Sequence, residues 1–352
     1  MSEVDVPEAH DSLPGYPAPA MTETVHGHDE HEAFLTRAYR SGKLHHALIF
    51  SGRQGIGKAT FAFQFARYIV ENPDPSSAPE QFGTKKNQSV ARQMASGAHP
   101  QLLHLTRPMD AKTGKFRTQL TIEETKRIGR FLTRTVADSG YRVVIVDPVN
   151  DMNASAANAL LKNLEEPTPR TVFILVSHAS GRLLPTIRSR CLIVPFHPLE
   201  AQPMRETLTD LGIAERIHGA ELETLLSLAE GSPRLAAMLA DGGGLEIMKA
   251  ADAVVSNRKF DLTAAMKIGD ALGGRDSETL FELFIDQMMN QLAIRAHSAA
   301  SANPRHAGLL AVIHQRLTLK IAEAIRYNLD RKQLVCAVLQ QLNDASTGAA
   351  AG

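Results

Sequence analysis

The strongest chemical signal in the sequence is a glycine-rich turn that ends in a lysine. Gly52, Gly55, Gly57 and Lys58 follow the pattern Gly-x-x-Gly-x-Gly-Lys, after a short apolar run and before a stretch of helical periodicity. Glycines allow backbone N–H groups to turn toward phosphate oxygens, and a lysine at this position reaches the β- and γ-phosphates. The start of the following helix adds a favourable dipole for an anion. The pattern therefore predicts a phosphate-binding loop.

The residue after this lysine lacks the group that usually completes such a loop. A Ser or Thr hydroxyl at that position binds Mg²⁺, but the sequence has Ala59 there. Thr60 comes next and lies about 100° further around the helix, so it cannot simply replace that hydroxyl. The loop is thus compatible with ATP binding, whereas Mg²⁺ coordination is expected to be impaired.

A second apolar run ends in an acidic residue. Val143 to Val146 are followed by Asp147, which is where a nucleotide-binding protein places the carboxylate that holds its metal. Proteins of this kind that hydrolyse ATP carry Glu next, to activate water, but here the next residue is Pro148. Asp151 is the nearest other acid, and it falls beyond the predicted strand. Asp147 is equally well explained as a strand-end carboxylate, and the sequence predicts little ATP hydrolysis.

Basic residues at two further places could contact phosphate. Arg190 is the middle residue of Ser189-Arg190-Cys191, and an exposed guanidinium there could act on a nucleotide bound by a neighbouring chain. From composition alone, an ordinary surface arginine is the simpler interpretation. Lys126, Arg130 and Arg134 form a stripe on one face of a predicted helix. A solvated face is the default for such a stripe, and direct contact with DNA stays open.

The sequence predicts no metal site. His26, His28 and His31 have no fourth ligand at an obvious spacing, so a solvated segment is the expected interpretation. Cys191 and Cys336 are the only cysteines, which excludes a four-cysteine zinc site and a disulfide framework. Two reduced thiols are typical of a cytoplasmic protein.

Composition limits the classes of function further. Lys plus Arg and Asp plus Glu number 38 each, and this balance argues against tight DNA binding by the chain alone. No apolar run approaches the roughly 18 residues of a membrane span. The acidic, Pro-rich start lacks the basic and apolar regions of a signal peptide.

Alternating strands and helices must position these groups, so the sequence predicts an α/β fold with a parallel sheet covered on both faces. The predicted strands, of which the last lies near the sheet edge, are Ala47–Phe50, Leu102–Leu105, Arg142–Val146, Thr171–Val176 and Leu192–Val194. Helices are predicted at Glu32–Tyr39, Ala59–Val70, from Thr121 to about residue 136, and Ala154–Glu165. A Thr121–Glu124 capping box should open the third helix, and Asn153 should cap the fourth. The polar segment 72–100 is predicted to be a loop or a weakly ordered insertion.

Two stretches together resemble the bacterial clamp-loader AAA+ family. They are residues 156–167, with the sequence AANALLKNLEEP, and the Ser-Arg-Cys motif at 189–191. The resemblance covers about residues 25–240. It implies that Arg190 is an arginine finger acting in trans, that Ser177 occupies the sensor-one position, and that Arg234 occupies the sensor-two position.

Within that family the chain is more similar to the delta-prime class than to the motor subunits, gamma and tau. The motors keep Thr after the loop lysine, Asp-Glu at the strand end and a four-cysteine zinc module, whereas this chain has Ala59, Asp147-Pro148 and no cysteine between residues 72 and 100. The resemblance implies a subunit of a DNA polymerase III holoenzyme, a nucleotidyltransferase complex. It further implies no polymerase activity in the chain itself, little or no ATPase activity, and no zinc.

The resemblance also implies partners and a domain order. The chain would form a hetero-oligomer with the motor subunits (gamma/tau) and the delta subunit, and would meet the sliding clamp and primed DNA through that assembly. The predicted order is a disordered tail (1–23), a P-loop AAA+ domain (24–199), a helical lid (200–250), a helical oligomerisation collar (251–345) and a tail (346–352). Ile313, Leu317, Ile321 and Ile325 form an apolar stripe that faces either a partner or the chain's own helical bundle.

Two other functions remain open on the sequence. One is an active AAA+ ATPase, such as a motor subunit or a helicase loader, against which Ala59 and Pro148 count. The other is a small-molecule kinase, against which the long helical C-terminal third counts.

Overall fold

The structure is a computed structural model that describes residues 7–83, 87–133, 140–274, 277–327 and 329–347. The chain divides into two compact units between residues 237 and 238. The first unit contains the sheet, and the second is built from helices.

The first unit is built around one parallel sheet with the strand order β2-β3-β4-β1-β5. The strands are β1 (Ala47–Ser51), β2 (Leu102–Leu105), β3 (Arg142–Val146), β4 (Thr171–Ser177) and β5 (Leu192–Pro195). All five predicted strands are confirmed, and so is the position of β5 at the edge. Continuous apolar runs are typical of parallel strands that are buried on both faces.

Each face of this sheet has its own hydrophobic core. Successive side chains of a strand point to opposite faces, so Leu48 and Phe50 of β1 enter one core. Ala47 and Ile49 enter the other. The α/β fold predicted from the sequence is therefore confirmed, with β1 fixing the start of the glycine-rich turn between two packed layers.

Helices cover both faces of the sheet and continue beyond it. Those of the first unit are α1 (Asp29–Arg40), α2 (Lys58–Glu71), α3 (Gln88–Ala95), α4 (Ile122–Leu132), α5 (Ala154–Glu165), α6 (Pro185–Arg188), α7 (Ala201–Asp210) and α8 (Ala220–Ala229). A further helix, α9 (Pro233–Ala240), starts in the first unit and crosses its boundary.

Helix starts agree with the sequence in one case and differ in another. Asn153 caps α5 as predicted, because its Oδ1 accepts the N–H of Ala156 at 2.9 Å. The predicted capping box at α4 is wrong, since Thr121 makes no side-chain cap bond and Glu124 instead accepts a hydrogen bond from Arg127 at 2.6 Å. α4 ends at Leu132 with Thr133 as its C-cap, and residues 134–136 of the predicted helix, Arg134 among them, lie outside the described residues.

Two segments expected to lack order are packed in the structure. Segment 72–100 contains α3, whose Met94 and Ala95 are buried, so a loop alone was the wrong prediction there. The expectation of a disordered tail is not met for the described residues 7–23. Ala20 is 6% exposed and joins the core beneath α2, because even a Pro-rich segment can bury a small apolar side chain.

The second unit is a helical bundle over its described residues. Its helices are α10 (Gly244–Ser256), α11 (Leu262–Leu272), α12 (Glu278–Ala302), α13 (Pro304–Arg326) and α14 (Arg331–Thr347). The buried Asn343 of α14 donates from Nδ2 to the carbonyls of Val254, Val255 and Asn257. These bonds satisfy carbonyls that the end of α10 would otherwise leave without partners.

The predicted apolar stripe of α13 is mostly core. Ile313, Leu317 and Ile321 are buried within the second unit, whereas Ile325 is 66% exposed. Among the helices described, none combines the length and the apolar composition that a membrane span requires.

Candidate functional site

The glycine-rich turn has the geometry of a phosphate-binding loop. It leaves the buried strand β1 and ends at Lys58, the first residue of α2. Gly55 and Gly57 have φ of 80° and 95°, a backbone conformation that residues with a Cβ rarely adopt. The N-cap of α2 makes no side-chain hydrogen bond, so the backbone N–H groups of its first turn are directed at the site.

Lys58 is a buried cation at the centre of this turn. It is 3% exposed, and its Nζ donates to the carbonyl of Gly52 at 2.7 Å and to that of Arg53. Burial lowers the pKa of Lys58 to about 8, against the opposing effect of Asp147. A buried ammonium of this kind is costly unless it is paired, so the site favours an anion.

Asp147 lies at the end of β3, as predicted, and is buried. Burial raises the pKa of its carboxyl to about 7, and nearby Asp11 adds to the rise while Lys58 opposes it. Asp151, the alternative acid, is bound by the Nε of Arg107. The structure therefore places one buried carboxyl, Asp147, beside the lysine, and it holds Asp151 in a separate ion pair.

The start of α9 is packed against the glycine-rich turn. The backbone N–H of Arg234 donates to the carbonyl of Gly55 at 3.3 Å, and Ser232 Oγ donates to the carbonyl of Gln54 at 3.4 Å. A Cβ at Gly55 would lie 2.5 Å from Ser232 Oγ. This close approach brings the Arg234 side chain to the site predicted for it.

Ser177, the predicted sensor-one residue, does not line the cavity, whereas the next residue, His178, does. Ser177 is fully buried, and its Oγ donates to Asn150 Oδ1 at 3.0 Å. The backbone N–H of His178 donates to the same oxygen at 2.9 Å. His178, rather than Ser177, lines the cavity, and its buried Nδ1 has no hydrogen-bond partner among the residues that the structure describes. Burial lowers the pKa of His178 to about 4, so the ring is neutral at physiological pH.

A cavity of about 230 Å³ joins these groups. Of the residues predicted to bind the cofactor, those that line it are Gly55, Gly57, Lys58, Ala59, Thr60, Asp147 and Arg234. Gly52 and Ser177 do not line it. Residues Ala59 and Thr60 stand at its wall, and only Thr60 carries a hydroxyl. The groups present fit a phosphate and lack the hydroxyl after the lysine that would hold Mg²⁺.

One wall of the cavity was not predicted. Residues between Asp11 and His28 line it along with the glycine-rich turn. The Nε2–H of His28 donates to the carbonyl of Ile56 at 2.9 Å, and His28 is 4% exposed. The interpretation of His26, His28 and His31 as a solvated segment is therefore wrong for His28. Its contact joins positions 28 residues apart, and no local pattern in the sequence signals such a contact.

Arg190 lies outside this cavity, between α6 and β5. Its Nη2 forms an ion pair with Glu165 Oε1 at 2.8 Å, and its Nη1 donates to the carbonyl of Thr186 at 3.0 Å. The side chain of Arg190 keeps 36% exposure. Glu165 is the last residue of α5 and lies within the 156–167 motif, so the two stretches that carry the family resemblance meet at this ion pair.

Other candidate groups are placed as ordinary surface or buried residues. Lys126 and Arg130 are exposed on α4. Over the described residues, no group of three or more His, Cys, Asp or Glu side chains is placed to hold a metal ion. Burial raises the pKa of the Cys191 thiol to about 11, which makes this thiol a poor metal ligand and nucleophile.

Comparison with known proteins matches residues 27–200 to the family described as DNA polymerase III, delta subunit. The chain is 33% identical over 209 residues to DNA polymerase III subunit delta' of Pseudomonas aeruginosa, which covers 58% of each chain. It is 31% identical to the delta' subunit of Bacillus subtilis, over 51% of this chain and 50% of that protein. It is 30% identical to subunit tau of Escherichia coli, over 59% of this chain and 30% of that protein.

The match thus spans about half to three-fifths of the length of the curated delta' relatives. Among solved structures, a gamma-subunit-related protein of Thermotoga maritima aligns with 90% of this chain and 99% of its own, at 18% identity and a TM-score of 0.43.

Proposed function

We propose, from the match of residues 27–200 to the DNA polymerase III delta subunit family, that the chain works as a delta-prime-type subunit of a bacterial clamp loader. In this role it donates Arg190 to the ATP of a neighbouring motor subunit and hydrolyses little or no ATP itself. Its partners are the motor subunits (gamma/tau) and the delta subunit, and through them the sliding clamp and primed DNA.

The position of Arg190 relative to the chain's own glycine-rich turn carries this proposal. Strands β1 and β5 run parallel, with Leu48 opposite Leu192 and Ser51 opposite Pro195. The turn follows the carboxyl end of β1, whereas Arg190 precedes the amino end of β5. At about 3.3 Å per residue, the four residues of β5 place the backbone of Arg190 about 13 Å along the strand from the start of the turn. Arg190 is thus unsuited to its own site and suited to a neighbour's.

The contacts of Arg190 hold its guanidinium in a preorganised position, as a role in trans requires. Glu165 and the carbonyl of Thr186 hold two of its nitrogens, while the side chain remains partly exposed. A fixed planar guanidinium can neutralise the charge that spreads over γ-phosphate oxygens in the transition state, and a fork of donors does so better than a single ammonium.

The composition of the site supports the delta-prime role over that of a motor. Ala59 offers no hydroxyl, Pro148 offers no acid, and Asp151 is bound to Arg107. Identity to the tau relatives alone leaves the two roles open, since their identities are close to those of the delta' relatives. The missing hydrolytic groups are what favour a subunit that serves the ATPase sites of others.

We predict that Arg190→Ala lowers the DNA- and clamp-stimulated ATPase of the reconstituted loader and slows clamp loading. A finger contributes about 10³–10⁵ in rate at one site. A loader has several sites, so total turnover should fall only in part. Arg190→Lys should restore little of the loss, because an ammonium lacks the planar fork. The assay is steady-state ATPase with clamp and primed DNA.

Arg188→Ala is the matched control, because Arg188 is an exposed arginine at the end of α6 and only two residues away. It should have the milder effect, and both variants should assemble normally, since exposed arginines contribute little to stability. Normal assembly and unchanged loading by Arg190→Ala would exclude the finger. So would a larger loss from Arg188→Ala.

A further inference from the structure

The amino-terminal segment Asp11–Pro19, which we call the strap, lies against the phosphate-binding site. We propose that the strap is an intramolecular ligand of this site and that it has to move before the chain can hold a nucleotide phosphate. The inference rests on the proposed function only in so far as the chain's own site accepts ATP.

The first observation is a contact with the predicted phosphate-binding arginine. Arg234 Nη1 donates to the main-chain carbonyl of Asp11, 223 positions away in the sequence. Its backbone N–H is bound to Gly55, so this side chain extends from the wall formed by the glycine-rich turn. A donor that is held by the carbonyl of Asp11 is not free for a phosphate oxygen, because each N–H donates one strong hydrogen bond.

The second observation is the charge that the strap brings to the site. The Asp11 carboxylate lies close enough to Asp147 to raise the pKa of that buried carboxyl, and close enough to Arg234 to oppose the lowering of the pKa of its guanidinium. A phosphate would enter the same field with the same sign of charge. Like charges repel more strongly in a buried site than in water, so Asp11 and an incoming phosphate disfavour each other.

The third observation is that the strap and the residues after it are held in place. Tyr16 Oη accepts a hydrogen bond from Arg216 Nη2 at 2.9 Å, and the carbonyl of Thr22 accepts one from Gln64. Ala20 is buried beneath α2. Three of the nine strap residues are proline. Proline restricts the unordered chain, so the entropy lost when this segment takes one fixed conformation is smaller.

A strap could instead serve as a fixed wall that adds contacts to a bound nucleotide, and it would then increase affinity. The contacts favour competition between the strap and a phosphate. The strap binds Arg234 and places the charge of Asp11 near Asp147, and both of these residues line the cavity. The two roles give effects of opposite sign on nucleotide affinity, so a binding measurement separates them.

The test compares the nucleotide affinity of four forms of the chain by equilibrium titration with a fluorescent ATP analogue. They are the unaltered chain, a chain lacking residues 1–19, a matched control lacking residues 1–8, and Asp11→Asn. If the strap occupies the site about nine-tenths of the time, its removal tightens binding by about tenfold. Asp11→Asn, which removes the charge and keeps the backbone contact, should give a smaller gain. The 1–8 deletion should bind as the unaltered chain does.

Equal or weaker binding by the chain lacking residues 1–19 would overturn the proposal. Absence of binding by all four forms would overturn it too, because Lys58 and Arg234 would then not hold phosphate. Thermal unfolding followed by circular dichroism checks that each form is folded, and if the 1–19 deletion is not, Asp11→Asn decides the matter alone. None of these outcomes bears on Arg190, whose experiment measures the ATP sites of other subunits.

Discussion

At the scale of single residues, the cavity is lined by groups suited to phosphate, but the chain lacks two groups that ATP hydrolysis requires. Lys58 and the turn before it retain the phosphate cradle, and Arg234 faces the same cavity. Ala59 replaces the hydroxyl that would hold Mg²⁺, and Pro148 replaces the acid that would activate water. Each missing contribution is worth roughly 10²-fold in rate or more.

We therefore predict that the isolated chain hydrolyses ATP at a rate indistinguishable from its own Lys58→Ala variant. The measurement is phosphate release by the purified chain, with and without Mg²⁺. A robust turnover that Lys58→Ala abolishes would contradict the prediction and would favour an active ATPase.

The sequence predicted those residues of the site that a local pattern fixes. Lys58 and Asp147 stand at set places after buried strands, and both line the cavity. His178 was missed because the sensor position was assigned to Ser177, the residue before it. The hydroxyl of Ser177 instead donates to Asn150. The contact between Asp11 and Arg234 was missed because no period or spacing connects positions 223 residues apart.

At the scale of single elements, α13 shows how helical periodicity limits a prediction. A spacing of four residues advances about 400° around a helix, so each step drifts about 40° off the starting face. Ile313, Leu317 and Ile321 tolerate that drift and stay buried. Ile325 is three steps from Ile313 and has rotated by about 120°, which explains its exposure at the end of the helix.

Two leucines of α13 make a matched pair for testing this packing. Leu317 is fully buried and Leu319 is 67% exposed. We predict that Leu317→Ala lowers the free energy of unfolding by about 2–5 kcal/mol, because it leaves a cavity in the bundle. Leu319→Ala should change it by less than about 0.5 kcal/mol.

Chemical denaturation of the two variants measures both values. A loss at Leu319→Ala as large as that at Leu317→Ala would mean that the second unit is packed through a different face of α13.

At the scale of the whole molecule, the division at residues 237 and 238 separates the proposed roles. Arg190 and the phosphate-binding site belong to the first unit, and the helices of the proposed collar belong to the second. The lid and collar boundaries at residue 250 stay predictions. A unit with two hydrophobic cores of its own should fold without the other.

We predict that a chain ending at Gly244 keeps a cooperative thermal transition but fails to join the loader. Co-purification with tagged motor subunits measures assembly, and a chain lacking only residues 348–352 is the control. The collar proposal fails if the shortened chain co-purifies as well as the full chain does.

The placement of the aromatic side chains has a consequence for spectroscopy. The chain has no Trp and five Tyr, and Tyr39 contacts the rings of both Tyr68 and Tyr141. The hydroxyl of Tyr39 also donates to the carbonyl of Asn72 at 2.5 Å, which fixes this cluster in the first unit. Tyr327 is the tyrosine of the second unit and is 63% exposed. The tyrosine bands of the near-ultraviolet circular dichroism spectrum therefore report mainly on tertiary order in the first unit, whereas the far-ultraviolet signal sums the helices of both units.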